Sequence, residues 1–324
     1  MTDNLLVSLV ASTADAPVFG VPAWLKAAST FDSYALGVVV AFIVLVWAMR
    51  FIIPKSGAIA WVTAKETLMQ PLFLILALVG LFGLFIFPFL PYHTLGEDVK
   101  IVVSQGLTLV KLACVFLAIW TASVSIADEI EGKTALMILA KPVGRRSFVF
   151  GKYLGVLVAV TALFLILGIF FLNTVSYKLV YDARESAKEL PTAIECAQYV
   201  KGVAPGLVLA FFETIVLTAI AIAISTRLPL LPNLTICLTI YVLGHIVPMI
   251  VASNAVTEMP IIGFFANLVC AFLPILDHFN METAIAMNRS VDWSYIGVAG
   301  LYSLLFAGVA MLLSLTLFED RDLA

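Results

Sequence analysis

The sequence predicts an all-α membrane protein, a polytopic bundle of transmembrane helices, and three observations support this fold class. Of the 324 residues, 62% are hydrophobic and 12% are charged, whereas a soluble domain has roughly 45–50% apolar and about 25% charged residues. The mean hydropathy is +1.10. The apolar residues also occur in runs long enough to cross a bilayer. This composition excludes a cytosolic enzyme, a nucleic-acid-binding protein and a disordered chain.

Seven runs reach the length of about 20 apolar residues that a bilayer core requires. They cover residues 33–53, 72–90, 107–126, 148–172, 206–224, 234–251 and 295–317. An eighth run, 261–275, is shorter and has a proline near its end. We therefore predict seven spans and one short segment that is re-entrant or interfacial.

The distribution of basic residues predicts the orientation of these spans. Ten of the eighteen Lys and Arg residues lie in stretches 50–71, 127–152 and 226–231 and in the tail after residue 317. The opposite stretches are about twice as long and hold seven. Because basic residues concentrate on the cytoplasmic side, we expect a cytoplasmic C-terminus and an extracytoplasmic N-terminus. If 261–275 crossed fully, the tail would lie outside.

The four cysteines are scattered singly, at Cys114, Cys196, Cys237 and Cys270. They form no CxxC pair, so the pattern favours neither a disulfide framework nor a zinc site. The predicted topology places only Cys196 outside the membrane, where an impermeant thiol reagent should reach it. It lies in the external stretch 173–201, whose balanced charges are typical of a solvated helical cap or a contact with an extracytoplasmic partner.

An amphipathic segment over residues 59–70 precedes the second span. On a helical wheel Trp61 lies on an apolar side and Thr63 on the opposite, polar side, while Lys65 falls within the apolar side and would have to snorkel. This pattern predicts a helix in the cytoplasmic interface, with Trp61, Lys65 and Glu66 as its interfacial residues. The alternative is the polar start of the next span.

The cytoplasmic stretch 127–152 has the most informative pattern in the chain. Three carboxylates come first, then a glycine that breaks the helix and a threonine that can cap a new one. A short apolar helix over 135–140 ends at a proline, and two arginines follow. Such an apolar helix between charged flanks suggests a docking surface for a soluble partner. The alternative is an ordinary loop that folds back on the spans.

Two ionisable residues, Lys111 and Glu213, lie within apolar spans. Each is eight residues from the predicted outer end of its span, or about 12 Å deep at roughly 1.5 Å per residue. Because Lys111 and Glu213 lie at equal depth, their side chains could form an ion pair. Intramembrane charges are candidates for function, so the two residues could contact a substrate. The alternative is a structural ion pair or a snorkelling lysine. We interpret His245 as a hydrogen-bonded interior residue, with the lining of a path as the alternative.

The cytoplasmic stretch resembles the cytoplasmic loop of ABC-2 type permeases, the membrane subunits of many bacterial ABC transporters. The shared pattern runs from acidic residues through Gly, Thr, apolar residues, Pro and Arg to a Gly-Lys pair at the next span. The matching residues are Asp128, Glu129, Glu131, Gly132, Thr134, Leu136, Leu139, Lys141, Pro142, Arg145, Arg146, Gly151 and Lys152. Lys133 is a departure from the pattern. The segment before the second span resembles the family's elbow helix, and residues 273–323 resemble the family's closing stretch.

The resemblance implies two regions. Residues 57–324 would form the six-span permease domain, and residues 1–56 an extracytoplasmic lead-in plus an additional N-terminal span. The segment 261–275 and the stretch 277–292 would roof the export path.

The resemblance also implies a permease subunit of an ATP-driven ABC transporter, an exporter in the bacterial inner (plasma) membrane. Residues 128–146 would couple it to a separate ABC ATP-binding subunit, which would bind the ATP. The chain itself would hold no catalytic residue, cofactor or metal, in agreement with the absence of a GxxxxGK[ST] phosphate loop from its sequence. A second copy or a related permease would complete a dimer among membrane lipids.

Two other functions stay open at this point. An ion-coupled secondary transporter is suggested by Lys111 and Glu213. A non-transporting membrane scaffold, or a maturation or assembly factor, is the other alternative. No residue pattern in the sequence selects a substrate.

Overall fold

The computed structural model describes residues 23–90, 92, 97–131, 144–251, 260–287, 289 and 291–319. Every regular element in these ranges is helical, which confirms the all-α prediction. In chain order the α-helices are α1 (Ala23–Ile52), α2 (Pro54–Met69), α3 (Pro71–Ile86), α4 (Asp98–Glu131), α5 (Arg145–Glu185), α6 (Ala193–Ser225), α7 (Leu230–Val251), α8 (Pro260–Phe272), α9 (Glu282–Ala286) and α10 (Trp293–Glu319). Two short 3-10 helices, Phe87–Phe89 and Leu276–Phe279, follow α3 and α8.

Seven of the described helices are long and apolar enough to cross a bilayer, in agreement with the seven predicted spans. They are α1, α3, α4, α5, α6, α7 and α10. The short eighth segment is broken: Gly263–Phe272 and Leu276–Ala286 meet at 66°. Pro274 lies in the break, where the ring removes a backbone donor and disfavours the helical conformation of the preceding residue. This geometry is that of a broken span or a re-entrant loop.

The centre of the bundle consists of α4, α5 and α6. Half or more of the most apolar part of each is buried, from 50% in α5 to 67% in α6, whereas none of that part of α1 is buried. Leu117, Leu163 and Leu217, one from each central helix, are fully enclosed in the same hydrophobic core. Helix α1 therefore lies at the periphery, with apolar side chains available to lipid.

Helix α5 continues well beyond its predicted span. Its 41 residues measure about 60 Å at roughly 1.5 Å per residue, about twice the thickness of a bilayer core. The external stretch 173–201 is therefore mostly helical, as the predicted helical cap requires, and only residues 186–192 connect α5 to α6. Thr192 and Glu195 form a capping box that starts α6, where each side chain accepts a hydrogen bond from the other residue's backbone N–H.

Two residues expected in a solvated external segment are buried. Lys178 is 1% exposed, its Nζ donates to the carbonyl oxygen of Pro88 at 3.2 Å, and it lies 3.7 Å from the Asp98 carboxylate. Cys196 is fully buried beside Val180. The expected reaction of Cys196 with an impermeant reagent is therefore wrong, because the extension of α5 covers the thiol.

Helix α2 packs closely against α5 through small residues. Its buried residues are Ser56, Gly57, Ala60, Thr63, Ala64 and Thr67. A Cβ atom on Gly155 of α5 would lie 2.6 Å from Thr63 Cβ and 2.7 Å from the Ala60 carbonyl oxygen. Small residues at both surfaces allow two helix backbones to approach this closely, so α2 and the first part of α5 form one packed unit.

The three residues predicted to be interfacial, Trp61, Lys65 and Glu66, are all exposed on α2. The side that carries Thr63 faces α5 instead. The position of α2 at the cytoplasmic interface stays a prediction.

We predict that Gly155→Ala destabilises the protein by about 1–3 kcal/mol, because the added methyl group must displace backbone of α2. Thermal unfolding in detergent measures this. Gly308→Ala in α10 is the matched control, since a Cβ there meets nothing within 4 Å and alanine favours the helix by about 1 kcal/mol over glycine. Equal unfolding temperatures for the two variants would contradict the close contact.

The predicted orientation requires a probe other than Cys196. A cysteine that replaces exposed Lys188, between α5 and α6, should react with an impermeant thiol reagent in cells whose outer barrier is opened. A cysteine that replaces exposed Arg227, between α6 and α7, should react only after lysis. The reverse result would invert the topology.

Candidate functional site

Four ionisable side chains from four different helices meet inside the bundle. They are Lys111 of α4, Glu213 of α6, His245 of α7 and Glu282 of α9, and we refer to them as the buried ionic cluster. Each helix contributes one ionisable residue to a region where most of the surrounding buried side chains are hydrophobic. The cluster therefore joins helices that are far apart in the chain.

Lys111 is at the centre of the cluster and is buried. Its Nζ lies 2.6 Å from Oε1 of Glu282 and 3.8 Å from Oε2 of Glu213. The first distance is that of a strong charge-assisted hydrogen bond, and the second is too long for any hydrogen bond. The predicted proximity of Lys111 and Glu213 is thus present, but Glu282 is the closer partner of Lys111.

Glu282 was not identified from the sequence as part of a site. It lies in the polar stretch 277–292, which the sequence suggested only as a roof. In the structure its Oε2 accepts a hydrogen bond from Thr108 Oγ1 at 2.6 Å. Helix α9 is further held by Ile285, whose side chain packs against Gly206 of α6. A short helix of five residues is thereby attached to both α4 and α6.

His245 completes the cluster from α7. Its Nδ1 lies 3.0 Å from the carbonyl oxygen of Tyr241, and its Nε2 lies 3.4 Å from Oε1 of Glu213. The imidazole also packs against the Tyr241 ring, with centroids 4.8 Å apart. The interpretation of His245 as a hydrogen-bonded interior residue agrees with these contacts.

Glu213 is the least satisfied member of the cluster. It is fully buried, and neither of its carboxylate oxygens has a hydrogen-bond partner among the described residues. A buried carboxylate without donors is costly in a region of low dielectric constant. Such a group can be stabilised by a proton, a cation or a charged group of a ligand. Within the described ranges no three His, Cys, Asp or Glu side chains are grouped to hold a metal ion.

A second polar contact joins the central helices nearer the predicted cytoplasmic side. Asn233 of α7 is fully buried and donates to Ser123 Oγ of α4 at 2.8 Å and to the Ala221 carbonyl oxygen of α6 at 3.1 Å. Its Oδ1 accepts from Cys237 Sγ at 3.2 Å. All polar atoms of the amide are thus used, which indicates a structural cross-link. No sequence pattern indicates this cross-link, because an isolated Asn has no characteristic spacing.

Part of the predicted coupling loop lies outside the described residues. These positions are Gly132, Thr134, Leu136, Leu139 and Pro142. Helix α4 runs to Glu131, and α5 begins at Arg145, so both helices extend into the predicted cytoplasmic stretch 127–152. The backbone of Asp128, Glu129 and Glu131 belongs to α4, and their side chains are outside the description. Arg145 and Arg146 are exposed in the first turn of α5.

The start of α5 is packed firmly onto the bundle directly after these arginines. Phe148 is fully buried and stacks on Phe318 at the end of α10, with ring centroids 5.6 Å apart. Lys152 is 2% exposed, and its Nζ lies 6.0 Å from the centre of the Phe148 ring. The start of α5 is therefore held against α10 as well as against α2.

Comparison with known protein families gives one match that covers almost the entire chain. The sequence model described as "ABC-2 family transporter protein" matches residues 8–323. The matched stretch begins before α1 and so includes the first span. The division into regions 1–56 and 57–324 stays a prediction. No curated protein sequence matches the chain at a significant level.

We predict that Lys111→Met lowers the stability of the protein by about 3 kcal/mol, because it leaves two carboxylates without their cation in a buried site. Thermal unfolding in detergent measures the loss. The matched control is Lys100→Met in the same helix, where the lysine is 41% exposed in its pair with Glu97 and the cost should stay below about 1 kcal/mol. Equal losses for the two variants would argue against a charge-dependent cluster.

Proposed function

The chain belongs to the ABC-2 family of transporter proteins, and from this premise we propose that it is the permease subunit of an ATP-driven exporter. It is a multi-pass membrane subunit of an ABC transporter, a class that associates with an ATP-binding subunit. The proposal adds that export is the direction of transport. It also adds that residues 128–146 receive the movement of a separate ATP-binding subunit.

The observation that carries the coupling proposal is the position of this loop between α4 and α5. Both helices belong to the buried centre of the bundle, so a force on the loop acts directly on the core. Lys111 lies 20 residues before the end of α4, or about 30 Å along a rigid helix. Contiguous packed helices of this kind can connect distant sites energetically.

The two arginines at the start of α5 support a docking role. A helix N-terminus carries partial positive charge, so cations in the first turn are unfavourable by a few tenths of a kcal/mol or more. Arg145 and Arg146 occupy that turn and are exposed. An acidic surface on a bound ATP-binding subunit would be a suitable partner for these arginines, since arginine forms bidentate pairs with carboxylates.

The outward direction of transport is supported by the bent segment formed by α8 and α9. It lies on the predicted extracytoplasmic side, and the buried ionic cluster attaches it to the central helices. A movable cover at that end is what an exit path for an exporter requires. A second copy of the chain, or a related permease, would supply the other half of the path, since this sequence contains no internal repeat.

A second candidate function is favoured by the buried ionic cluster. Ionisable residues within spans commonly form ion or proton pathways in transporters, so an ion-coupled secondary transporter is the alternative. It predicts transport in vesicles that follows an imposed ion gradient and persists without ATP. The exporter predicts transport that requires ATP and the ATP-binding subunit.

We predict that Arg145→Gln with Arg146→Gln weakens retention of an ATP-hydrolysing partner by about tenfold, because two charge-assisted contacts are lost. The measurement is nucleotide-dependent ATPase activity that copurifies with the tagged chain from its native membrane. Arg184→Gln with Lys188→Gln is the matched control, since it removes two exposed cations near the opposite end of α5. The coupling role is wrong if both double variants retain the partner equally, or if deletion of residues 134–142 leaves transport intact.

A further inference from the structure

The contacts of His245 determine which of its nitrogen atoms carries hydrogen in the neutral ring. Nδ1 lies 3.0 Å from the backbone carbonyl oxygen of Tyr241, and a carbonyl oxygen can only accept a hydrogen bond. Nδ1 is therefore the donor. In the neutral imidazole Nε2 then has no hydrogen and can only accept.

This assignment makes two acceptors face each other inside the bundle. Nε2 of His245 and Oε1 of Glu213 are 3.4 Å apart, and neither atom has a hydrogen-bond donor among the described residues. A lone pair that faces an ionised carboxylate is unfavourable, and burial in low dielectric increases the cost. One added proton removes the conflict, whether it resides on the carboxyl group or on the imidazole.

The charge balance of the cluster leads to the same requirement for a proton. Lys111 and Glu282 form a close pair, and Thr108 supplies a further hydrogen bond to Glu282. Glu213 with a neutral His245 then leaves one negative charge uncompensated. Adding one proton gives either a neutral hydrogen-bonded pair or an ion pair, and both forms have no net charge.

We propose that Glu213 and His245 form a binding site for a single exchangeable proton, which controls how firmly α9 is held to the bundle. With the proton bound, Glu213 does not compete for Lys111, and Lys111 stays on Glu282. Without the proton, the ionised Glu213 attracts Lys111, whose Nζ is 3.8 Å away. The contact between Lys111 and Glu282 weakens, and α9 loosens from α4. The site needs no bound ATP-binding subunit and is independent of the proposed coupling loop.

The partial exposure of the cluster indicates where the proton enters. The side chains of His245 and Glu282 are 18% and 17% exposed, whereas Glu213 is inaccessible and Lys111 is 6% exposed. His245 lies near the end of α7, and Glu282 lies on α9, both on the predicted extracytoplasmic side. On the predicted topology, the proton therefore exchanges on the extracytoplasmic side, through His245 or Glu282.

Other titratable groups surround the pair and must be included in any account of its pH dependence. Lys111 of α4 and Glu282 of α9 act on both members of the pair, and Asp277 of the 3-10 helix after α8 acts on His245. The Tyr241 ring packs against the imidazole from within α7 at an angle of 54°. Among these groups only Glu213 and His245 face each other without a donor, which is why the exchangeable proton is assigned to them.

The test is hydrogen–deuterium exchange of residues 276–287 in the purified chain over a range of pH. Backbone hydrogen bonds from Ile285 and Met287 protect amides of this segment, so exchange there reports the opening of α9. Glu213→Gln supplies an N–H donor in place of the proton and should hold α9 closed. Comparison of variants at each pH removes the intrinsic pH dependence of exchange.

At high pH the unmodified chain should exchange about tenfold faster in this segment than Glu213→Gln, as expected for a typical coupling between sites. At low pH the two should coincide. Glu282→Gln should exchange fast at every pH, and His245→Gln should move the pH at which the change occurs. The first turns of α6, which are remote from the cluster, should be unaffected by all three substitutions.

Three results would overturn the proposal. One is identical exchange of the unmodified chain and Glu213→Gln at all pH values. Another is exchange in Glu213→Gln as fast as in Glu282→Gln, and the third is an unchanged transition in His245→Gln. If the variants do not fold, nitrogen-15 NMR of histidine in the unmodified chain decides: Nε2 of His245 must lose its hydrogen bond as pH rises, and an unchanged signal refutes the site.

Discussion

The positive charge of Lys111 is the constraint on which the arrangement of the outer half of the bundle depends. An ammonium group in an apolar interior must be paired, because an isolated charge there costs several kcal/mol or more. Two carboxylates from distant parts of the chain supply the pairing. One belongs to the central helix α6, and the other belongs to α9, which has only five residues. The position of α9 therefore depends on electrostatics as well as on the packing of Ile285.

The predicted cytoplasmic half is organised by a different interaction, the close approach of helices through small residues and stacked rings. Lipid is as apolar as a leucine side chain, so helices in a bilayer associate through tight van der Waals packing and internal hydrogen bonds. Gly155 brings α2 against α5, and Phe148 locks α5 against α10. Asn233 ties α7 to α4 and α6. Helix α4 belongs to both halves of the bundle. One long helix therefore connects the predicted coupling loop with the buried ionic cluster.

The fold was largely predictable from the sequence because the bilayer imposes a simple rule on chain composition. Seven runs of apolar residues correspond to seven long helices, and Pro274 marks the break in the eighth segment. The length of α5 was not predictable in this way, since its last turns include polar and charged residues such as Lys178 that tertiary contacts bury. Depth in the membrane suggested the proximity of Lys111 and Glu213. Glu282 was missed, because the short helix that carries it has no hydrophobic period.

The sequence by itself determined that this protein spans a membrane several times, where its spans lie and which loop resembles that of a transporter permease. These properties follow from local composition and order, which every sequence displays directly. Only the tertiary structure decided that Lys111 pairs most closely with Glu282, that His245 faces Glu213, and that Cys196 is inaccessible. Each of these depends on how helices distant in the chain rotate and pack against one another, and the spacing of residues within one helix contains no information about that rotation.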